Sequence, residues 1–183
     1  TATGSSYGGG DDDPDTIIYY NTIYAFHHDG TIMAGWPLDI NADTTYLWYP
    51  RSLKVLVDLD GDGCFEIISG YLNRKDPNSG TNAIYALRHD GTVQPGHFPV
   101  INEVWNYALA AADMNGDGIY ELYSHGIRYD NTGLVDSTWT YQPYVISLLA
   151  FADVDDDGLP EMICGSDSVH VLDINGQELP GWP

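Results

Sequence analysis

Asp58-Leu-Asp60-Gly-Asp62-Gly63-Cys64-Phe-Glu66 is the stretch on which the fold turns. Its spelling returns as Asp113-Met-Asn115-Gly-Asp117-Gly118-Ile119-Tyr-Glu121, then as Asp153-Val-Asp155-Asp-Asp157-Gly158-Leu159-Pro-Glu161. Oxygen-bearing side chains stand at loop positions 1, 3, 5 and 9, and glycine stands at position 6. Alternate side chains of a tight turn converge on one point, and glycine permits the bend. Carboxylates gathered so closely repel one another unless a cation sits among them. Calcium takes roughly six to eight oxygen ligands at about 2.3–2.6 Å. The loops therefore read as about three calcium sites. Their side-chain ligands are Asp58, Asp60, Asp62 and Glu66; Asp113, Asn115, Asp117 and Glu121; and Asp153, Asp155, Asp157 and Glu161. Cys64, Ile119 and Leu159, at position 7, complete the sets through backbone carbonyls.

A solvated acidic turn is the plain alternative, since Asp and Gly are common turn residues. Threefold recurrence, each time with Glu at position 9, weighs against it. The helical EF-hand needs a bidentate Glu at position 12, and here that position holds Ser69, Ser124 and Cys164. After each Glu come Ile67-Ile68, Leu122-Tyr123 or Met162-Ile163, short apolar runs that predict a strand leaving the loop.

A second phrase interleaves with the loops. Ile23-Tyr-Ala-Phe-His27-His28-Asp29-Gly30-Thr31 leads to Gly35-Trp36-Pro37, and Ile84-Tyr-Ala-Leu-Arg88-His89-Asp90-Gly91-Thr92 leads to Gly96-His97-Phe98-Pro99. Val169-His170-Val-Leu-Asp173-Ile-Asn175-Gly176 leads to Gly181-Trp182-Pro183, and a fainter copy runs from Ile127 to Trp139. Apolar alternation broken by Asp-Gly or Asn-Gly signals a hairpin. Each unit thus reads as strand, calcium loop, strand, strand, tight turn and a last strand ending in an aromatic residue. The expected fold is all-β: a propeller-type repeat of about four four-stranded antiparallel blades. Its units run over about 1–50, 51–105, 106–143 and 144–183 as one domain. The polar stretch from Tyr71 to Asn82 reads as an insertion between strands.

Unit one is degenerate. Thr16-Ile17-Ile18 aligns with Glu66-Ile67-Ile68, which places the metal positions on Gly8, Gly10, Asp12 and Thr16 and predicts no tight calcium there. Residues 1–7 then form its first strand, and this Gly/Ser-rich start is expected to pair with a neighbour. Asp39-Ile-Asn41-Ala-Asp43 has the 1-3-5 spacing, but Thr44 and Leu47 fill positions 6 and 9, so metal is not expected there either.

Bulk properties narrow the function. The 183 residues carry a formal net charge of −21, which three calcium ions would offset only in part. Such a field disfavours nucleic acid and anionic membranes as partners. Apolar content of 43% and aromatic content of 13% exclude an acidic disordered tail. No apolar run approaches the ~18 residues that cross a bilayer, so membrane insertion is not expected. The chain starts at Thr1 with no signal peptide and reads as a mature or excised segment. The two cysteines, Cys64 and Cys164, read as free thiols. Calcium loops of this kind suit an extracellular or cell-surface location, where the ion is abundant. No Asn-x-Ser/Thr acceptor occurs, while Thr1, Thr3, Ser5 and Ser6 offer hydroxyls for O-linked sugar.

The loops, the apolar pairs after them and the Leu-Pro-Gly-Trp-Pro phrase at 179–183 resemble the FG-GAP/VCBS repeats of integrin α-chain propellers and many secreted proteins. Phe151-Ala-Asp153 and Ala111-Ala112-Asp113 stand where that family has its strand entering the calcium loop. The resemblance covers nearly the whole chain. It implies a β-propeller with calcium at the blade turns and no single activity.

No nucleophile elbow or phosphate-binding glycine loop is present, and the patterned carboxylates are committed to metal, so no enzyme is expected. His28 and His89 are repeat equivalents beside a turn, which favours a structural role. Tyr19, Tyr20, Tyr46, Trp48, Tyr49, Trp105, Tyr107, Trp139, Tyr141 and Tyr144 cluster near blade connections, where tryptophans fill space between blades. The expected role is adhesion or self-assembly through a protein partner or a second copy, the N-terminal strand being the candidate contact. The alternatives are a lectin-like glycan-binding module and a fragment of a polysaccharide-degrading enzyme.

Overall fold

A computed structural model describes residues 2–4, 7–8, 18–19, 22–40, 48–50, 54–73, 81–103, 108–139, 147–165 and 168–183. Those residues form strands and, among them, no helix. The first unit contributes β1 (Ala2–Gly4), β2 (Tyr7–Gly8), β3 (Ile18–Tyr19), β4 (Thr22–Tyr24) and β5 (Leu38–Asp39). The second contributes β6 (Trp48–Pro50), β7 (Val55–Val57), β8 (Glu66–Asn73), β9 (Asn82–Leu87) and β10 (Val100–Asn102). The third holds β11 (Leu109–Ala112), β12 (Glu121–Ser124) and β13 (Ile127–Tyr129). The fourth holds β14 (Ser147–Ala152), β15 (Glu161–Gly165) and β16 (Val169–Leu172). Every pairing is antiparallel, as two-residue alternation joined by short turns requires.

The second sheet shows how sequence sets register. Ile67 opposes Leu87, Ile68 opposes Ala86, and Tyr71 opposes Ala83. Successive side chains point to opposite faces, so Ile67, Tyr71, Ala83 and Leu87 share one face while Ile68, Ile84 and Ala86 share the other. The first set packs against Ile23, Ala25, Trp36 and Ile40 of unit one. The second set packs, with Val57 and Leu59, against Leu122 and Tyr129 of unit three. Ala112, Met114, Tyr123 and Trp139 of unit three then pack against Met162, Cys164 and Leu172 of unit four. Each core is therefore shared between consecutive units, and among the described residues none joins unit four to unit one. Trp36 and Trp139 fill space between units, as expected of the tryptophans. The bonds Trp36-Pro37, Phe98-Pro99 and Trp182-Pro183, which end three of the repeated phrases, are all cis.

Several expectations need correction. The fourth strand of a blade is reduced: after the hairpin turns, Phe26–Ile32, Leu87–Val93, Tyr129–Val135 and Leu172–Glu178 form single bridges, and the third and fourth sheets are three-stranded. Strand β8 in turn pairs with β7 along its first half and β6 along its second, so the second sheet also takes in Trp48–Pro50. Tyr71–Asn73 extend β8 and Asn82 starts β9, which leaves only 74–80 of the supposed insertion outside the described residues.

Unit one departs most. Residues 1–7 are not one strand: β1 pairs with β4, while β2 pairs with β3 in a separate two-stranded sheet. The expected pairing of the N-terminal stretch is therefore met by its own chain. Gly8, counted as a loop position, lies in β2 opposite Ile18. Strand pairing, rather than loop counting, fixes that hairpin, because Gly-rich sequence carries no side-chain register of its own. Gly10, Asp12 and Thr16 lie outside the described residues. Asp39 sits in β5 opposite Thr22, and Asn41 and Asp43 lie outside the described residues.

Candidate metal centre

Each acidic loop bridges two adjacent antiparallel strands, β7 to β8, β11 to β12 and β14 to β15, and each is held by the same four hydrogen bonds. The position-1 carboxylate accepts from the position-6 amide: Gly63 to Asp58 at 3.0 Å, Gly118 to Asp113 at 2.8 Å and Gly158 to Asp153 at 3.0 Å. The position-3 Oδ1 accepts from the position-5 amide, at 3.2 Å for Asp60, 2.9 Å for Asn115 and 3.2 Å for Asp155. The position-5 carboxylate accepts from the amides of Cys64, Ile119 and Leu159 at 2.7, 2.8 and 2.8 Å. The position-9 glutamate reaches back to the position-2 amide, at 2.9 Å for Glu66, 3.4 Å for Glu121 and 2.7 Å for Glu161. Every side-chain ligand predicted from sequence thus accepts a hydrogen bond from a backbone amide of its own loop.

Carboxylate oxygens of Asp58, Asp60 and Asp62 all lie within 4.8 Å of one another, as do those of Asp153, Asp155 and Glu161. These two clusters could hold a metal ion. Glu66 is 0% exposed, yet its Oε1 has no hydrogen-bond partner, and neither has the buried Oδ1 of Asp58 in the same loop. A buried carboxylate oxygen left without a donor is costly; a divalent cation bound in the loop would offset that cost. Burial pushes the Glu66 carboxyl above its usual range, and the carboxylates of Asp60, Asp62 and Asp58 add to it. Burial does the same to Glu121. The donor set is all oxygen and mostly anionic, which suits a hard cation such as calcium.

The loops differ in what already occupies them. In the third unit the Asn115 amide nitrogen lies 3.0 Å from Asp117 Oδ2 and 3.2 Å from Glu121 Oε1, so an N–H donor bridges two carboxylates where the other loops offer a second acid oxygen. In the second unit the Arg88 guanidinium lies 2.8 Å from Asp60 Oδ2 and 3.5 Å from Asp62, and the Gln94 amide donates to Asp60 Oδ2 at 2.9 Å. The Gln94 bond, followed by the Asp62 amide and Arg88, holds the Asp60 carboxyl below its usual range. Sequence reasoning missed Arg88 and Gln94 as neighbours of this loop. The available signal was an Arg at the hairpin position where unit one has His27.

Both cysteines are free thiols. The Asp62 carboxylate pushes the Cys64 thiol up, helped by desolvation and by Glu66 and Asp58. Burial pushes Cys164 up to about 11. A cation in the first loop neutralises the charges acting on Cys64 and leaves Cys164 untouched. Alkylation of Cys64 at pH about 8 should therefore speed up several-fold when calcium is added, with Cys164 unreactive in both states as internal control. Peptide-resolved iodoacetamide labelling checks this, and equal Cys64 rates with and without calcium would count against ion binding in that loop.

One further grouping went unforeseen. Ser168 Oγ lies 3.1 Å from His170 Nε2, and His170 Nδ1 meets Glu178 Oε1, which fastens the start of β16 to the segment beyond its turn. His28 and His89 sit exposed beside their hairpin turns.

Residues 58–124 match the model of the FG-GAP-like repeat family. A search of curated proteins returns no match. Among solved structures, the crystal structure of the V. cholerae biofilm matrix protein Bap1 is similar at 18% identity and a TM-score of 0.41, over 97% of this chain and 38% of that one. The chain thus spans well under half of that protein's length. The matched stretch contains two of the three acidic loops, with the strand that enters the second of them and the strands that leave both, so over residues 58–124 the chain is similar to the FG-GAP-like repeat.

Proposed function

We propose that the chain is a non-catalytic calcium-braced repeat protein that works outside the cell, in adhesion or self-assembly. The pair of buried, partnerless carboxylate oxygens on Asp58 and Glu66 carries the calcium part of this reading. Bound there, the ion supplies positive charge that ties the entering and leaving strands of a blade together. Asp58, Asp60, Asp62 and Glu66 would hold it in the second unit, with Asp113, Asn115, Asp117 and Glu121, and Asp153, Asp155, Asp157 and Glu161, in the next two. The carbonyls of Cys64, Ile119 and Leu159 complete the sets. The family favours an extracellular setting, and a net charge of −21 favours a cationic or self-complementary partner over nucleic acid.

Calorimetric titration of calcium into chelator-stripped protein tests the reading, with uptake of about three ions expected. The loop at Asp113 should fill last and empty first, because Asn115 replaces a carboxylate and its amide nitrogen points into the acids. Asn115→Asp should tighten that weakest step by roughly tenfold, the scale of one charge-assisted contact. Absence of calcium uptake would sink the proposal, and three equal sites would sink the ranking.

A second reading, glycan binding, draws on a shallow groove between units one and two lined by Trp36, Leu56 and Phe65. Leu56 and Phe65 are exposed, and an exposed aromatic face suits sugar stacking. Glycan-array binding that disappears in Phe65→Ala would favour it.

A further inference from the structure

The contact between units one and two has a fixed spelling on each side. One side is Gly35-Trp36-Pro37, at the end of unit one, and the other is the hairpin turn His89-Asp90-Gly91-Thr92 of unit two. The Trp36 indole donates to the His89 carbonyl oxygen at 2.9 Å. The backbones approach so closely that a Cβ on Gly35 would lie 1.8 Å from the Asp90 carbonyl oxygen, and one on Gly91 would lie 2.6 Å from that of Gly35. Units two and three meet in the same manner with altered residues. There the His97 amide donates to the Thr132 carbonyl oxygen at 2.7 Å, and a Cβ on Gly96 would lie 2.5 Å from that oxygen.

Both spellings of the first contact occur once more, and there each stands without the other. Gly181-Trp182-Pro183 ends unit four. It is folded as its counterpart is: the Trp182 amide donates to the Leu179 carbonyl at 3.2 Å, as Trp36 does to Met33 at 3.2 Å. Yet Trp182 is 41% exposed where Trp36 is 7%, and a Cβ on Gly181 would meet nothing within 4 Å. His28-Asp29-Gly30-Thr31 is the hairpin turn of unit one. Asp29 accepts from the Thr31 amide and hydroxyl at 2.9 and 2.7 Å, as Asp90 does from Thr92 at 3.0 and 2.6 Å. A Cβ on Gly30 would also meet nothing within 4 Å. The sheet faces behind these motifs are open in the same sense. Phe26 is 42% exposed where its repeat equivalent Leu87 is 0%, and Val169 is 51% exposed where Ile84 is 0%.

We infer that the exposed Gly181-Trp182-Pro183 motif of one molecule docks on the His28–Thr31 turn of a second copy of this chain. The docking repeats between molecules the contact that joins unit one to unit two within a molecule. The Trp182 indole would donate to the His28 carbonyl, Gly181 would lie against Asp29, and Val169 would face Phe26 across the new core. The two patches are different surfaces, so the interface is heterologous: each docking leaves one patch of each kind free, and the assembly grows as a filament or closes as a multi-chain ring. This inference rests on the self-assembly reading above and narrows it to a named partner and two named patches, neither of them the N-terminal strand.

Two single substitutions and their mixture test it. Trp182→Ala removes the docking residue and changes an exposed position; Gly30→Asn adds a Cβ at the turn while keeping a residue that tolerates its positive φ of 85°. In sedimentation velocity with calcium present, the wild-type chain should form a concentration-dependent series of species, and each variant alone should remain a monomer. An equimolar mixture of the two should give a one-to-one dimer and nothing larger, because the intact Trp182 of one variant meets the intact turn of the other. Closure of a single chain on itself predicts monomers in all four samples and would overturn the inference. So would variants that assemble as the wild type does, or a mixture that stays monomeric while the wild type assembles. Calcium uptake is read separately, so a monomeric wild type that still binds three ions overturns the docking and leaves the calcium reading standing.

Discussion

Removing calcium should lower the melting temperature of the chain by roughly 15–30 °C. Each site held at a hundredfold excess of ion over its Kd adds about 2.7 kcal/mol to the folded state, so three sites add about 8 kcal/mol. For a chain of this size, 1 kcal/mol moves the midpoint by roughly 2–4 °C. Scanning calorimetry in calcium, in chelator and after calcium is restored measures the shift; a change of only a few degrees would refute a bracing role. Magnesium should restore little, because it demands a small octahedral shell and gives up water reluctantly. The pH response should also reverse sign. In the calcium-free chain the Glu66 and Glu121 carboxyls are raised by burial, so the folded state binds protons more readily than the unfolded one. Its stability should rise as pH falls through their range and be lost as pH rises. With calcium bound, the same acidification displaces the ion and destabilises the fold.

Arg128→Ala should cost about 3 kcal/mol or more in urea unfolding, the scale expected when one partner of a buried ion pair is removed. Arg128 is buried in β13 and bonds to Asp136 from two nitrogens, at 2.9 and 2.6 Å. It also donates to the Thr138 hydroxyl at 3.2 Å and to the Ile174 carbonyl of unit four at 3.0 Å, with its guanidinium 5.0 Å from the Trp139 ring centre. Truncation strands the Asp136 charge and cuts the link from unit three to the turn of unit four. The double substitution Arg128→Met with Asp136→Ala should recover part of the loss, because no charge is left behind. A double variant as unstable as Arg128→Ala would show that packing on Trp139, rather than the ion pair, dominates.

The three acidic loops were legible because the chain spells the same side chains at the same spacings three times, and each is held by the same hydrogen bonds. The strands leaving the loops were legible from Ile67-Ile68 and its counterparts, whose alternation now divides two cores. Arg88 beside Asp60 was not legible. The two are 28 residues apart, no other unit repeats the pair, and nothing local in sequence reports which turn leans on which loop. Unit one failed for another reason. Its Gly- and Asp-rich start offers no apolar alternation, so counting back from Thr16 placed Gly8 in a loop when pairing with Ile18 puts it in a ladder. The thinning of the fourth strand to single bridges was hidden as well, because Val93, Val135 and Glu178 sit at equivalent places with little shared character.

Because every core belongs to two neighbouring units at once, position along the row decides how firmly a unit is held. Among the described residues, units two and three are clamped on both faces, and units one and four on a single face each. Local opening should therefore start at the two outer units and work inward, as fraying does in a row of coupled elements. In hydrogen exchange, amides of β8 and β9 should be the last to trade with solvent and those of β4 and β16 among the first. A molecule that gains a neighbour at either outer face should see that gradient flatten from the occupied side. Growth and stability would then reinforce each other, each added copy making its neighbour harder to unravel.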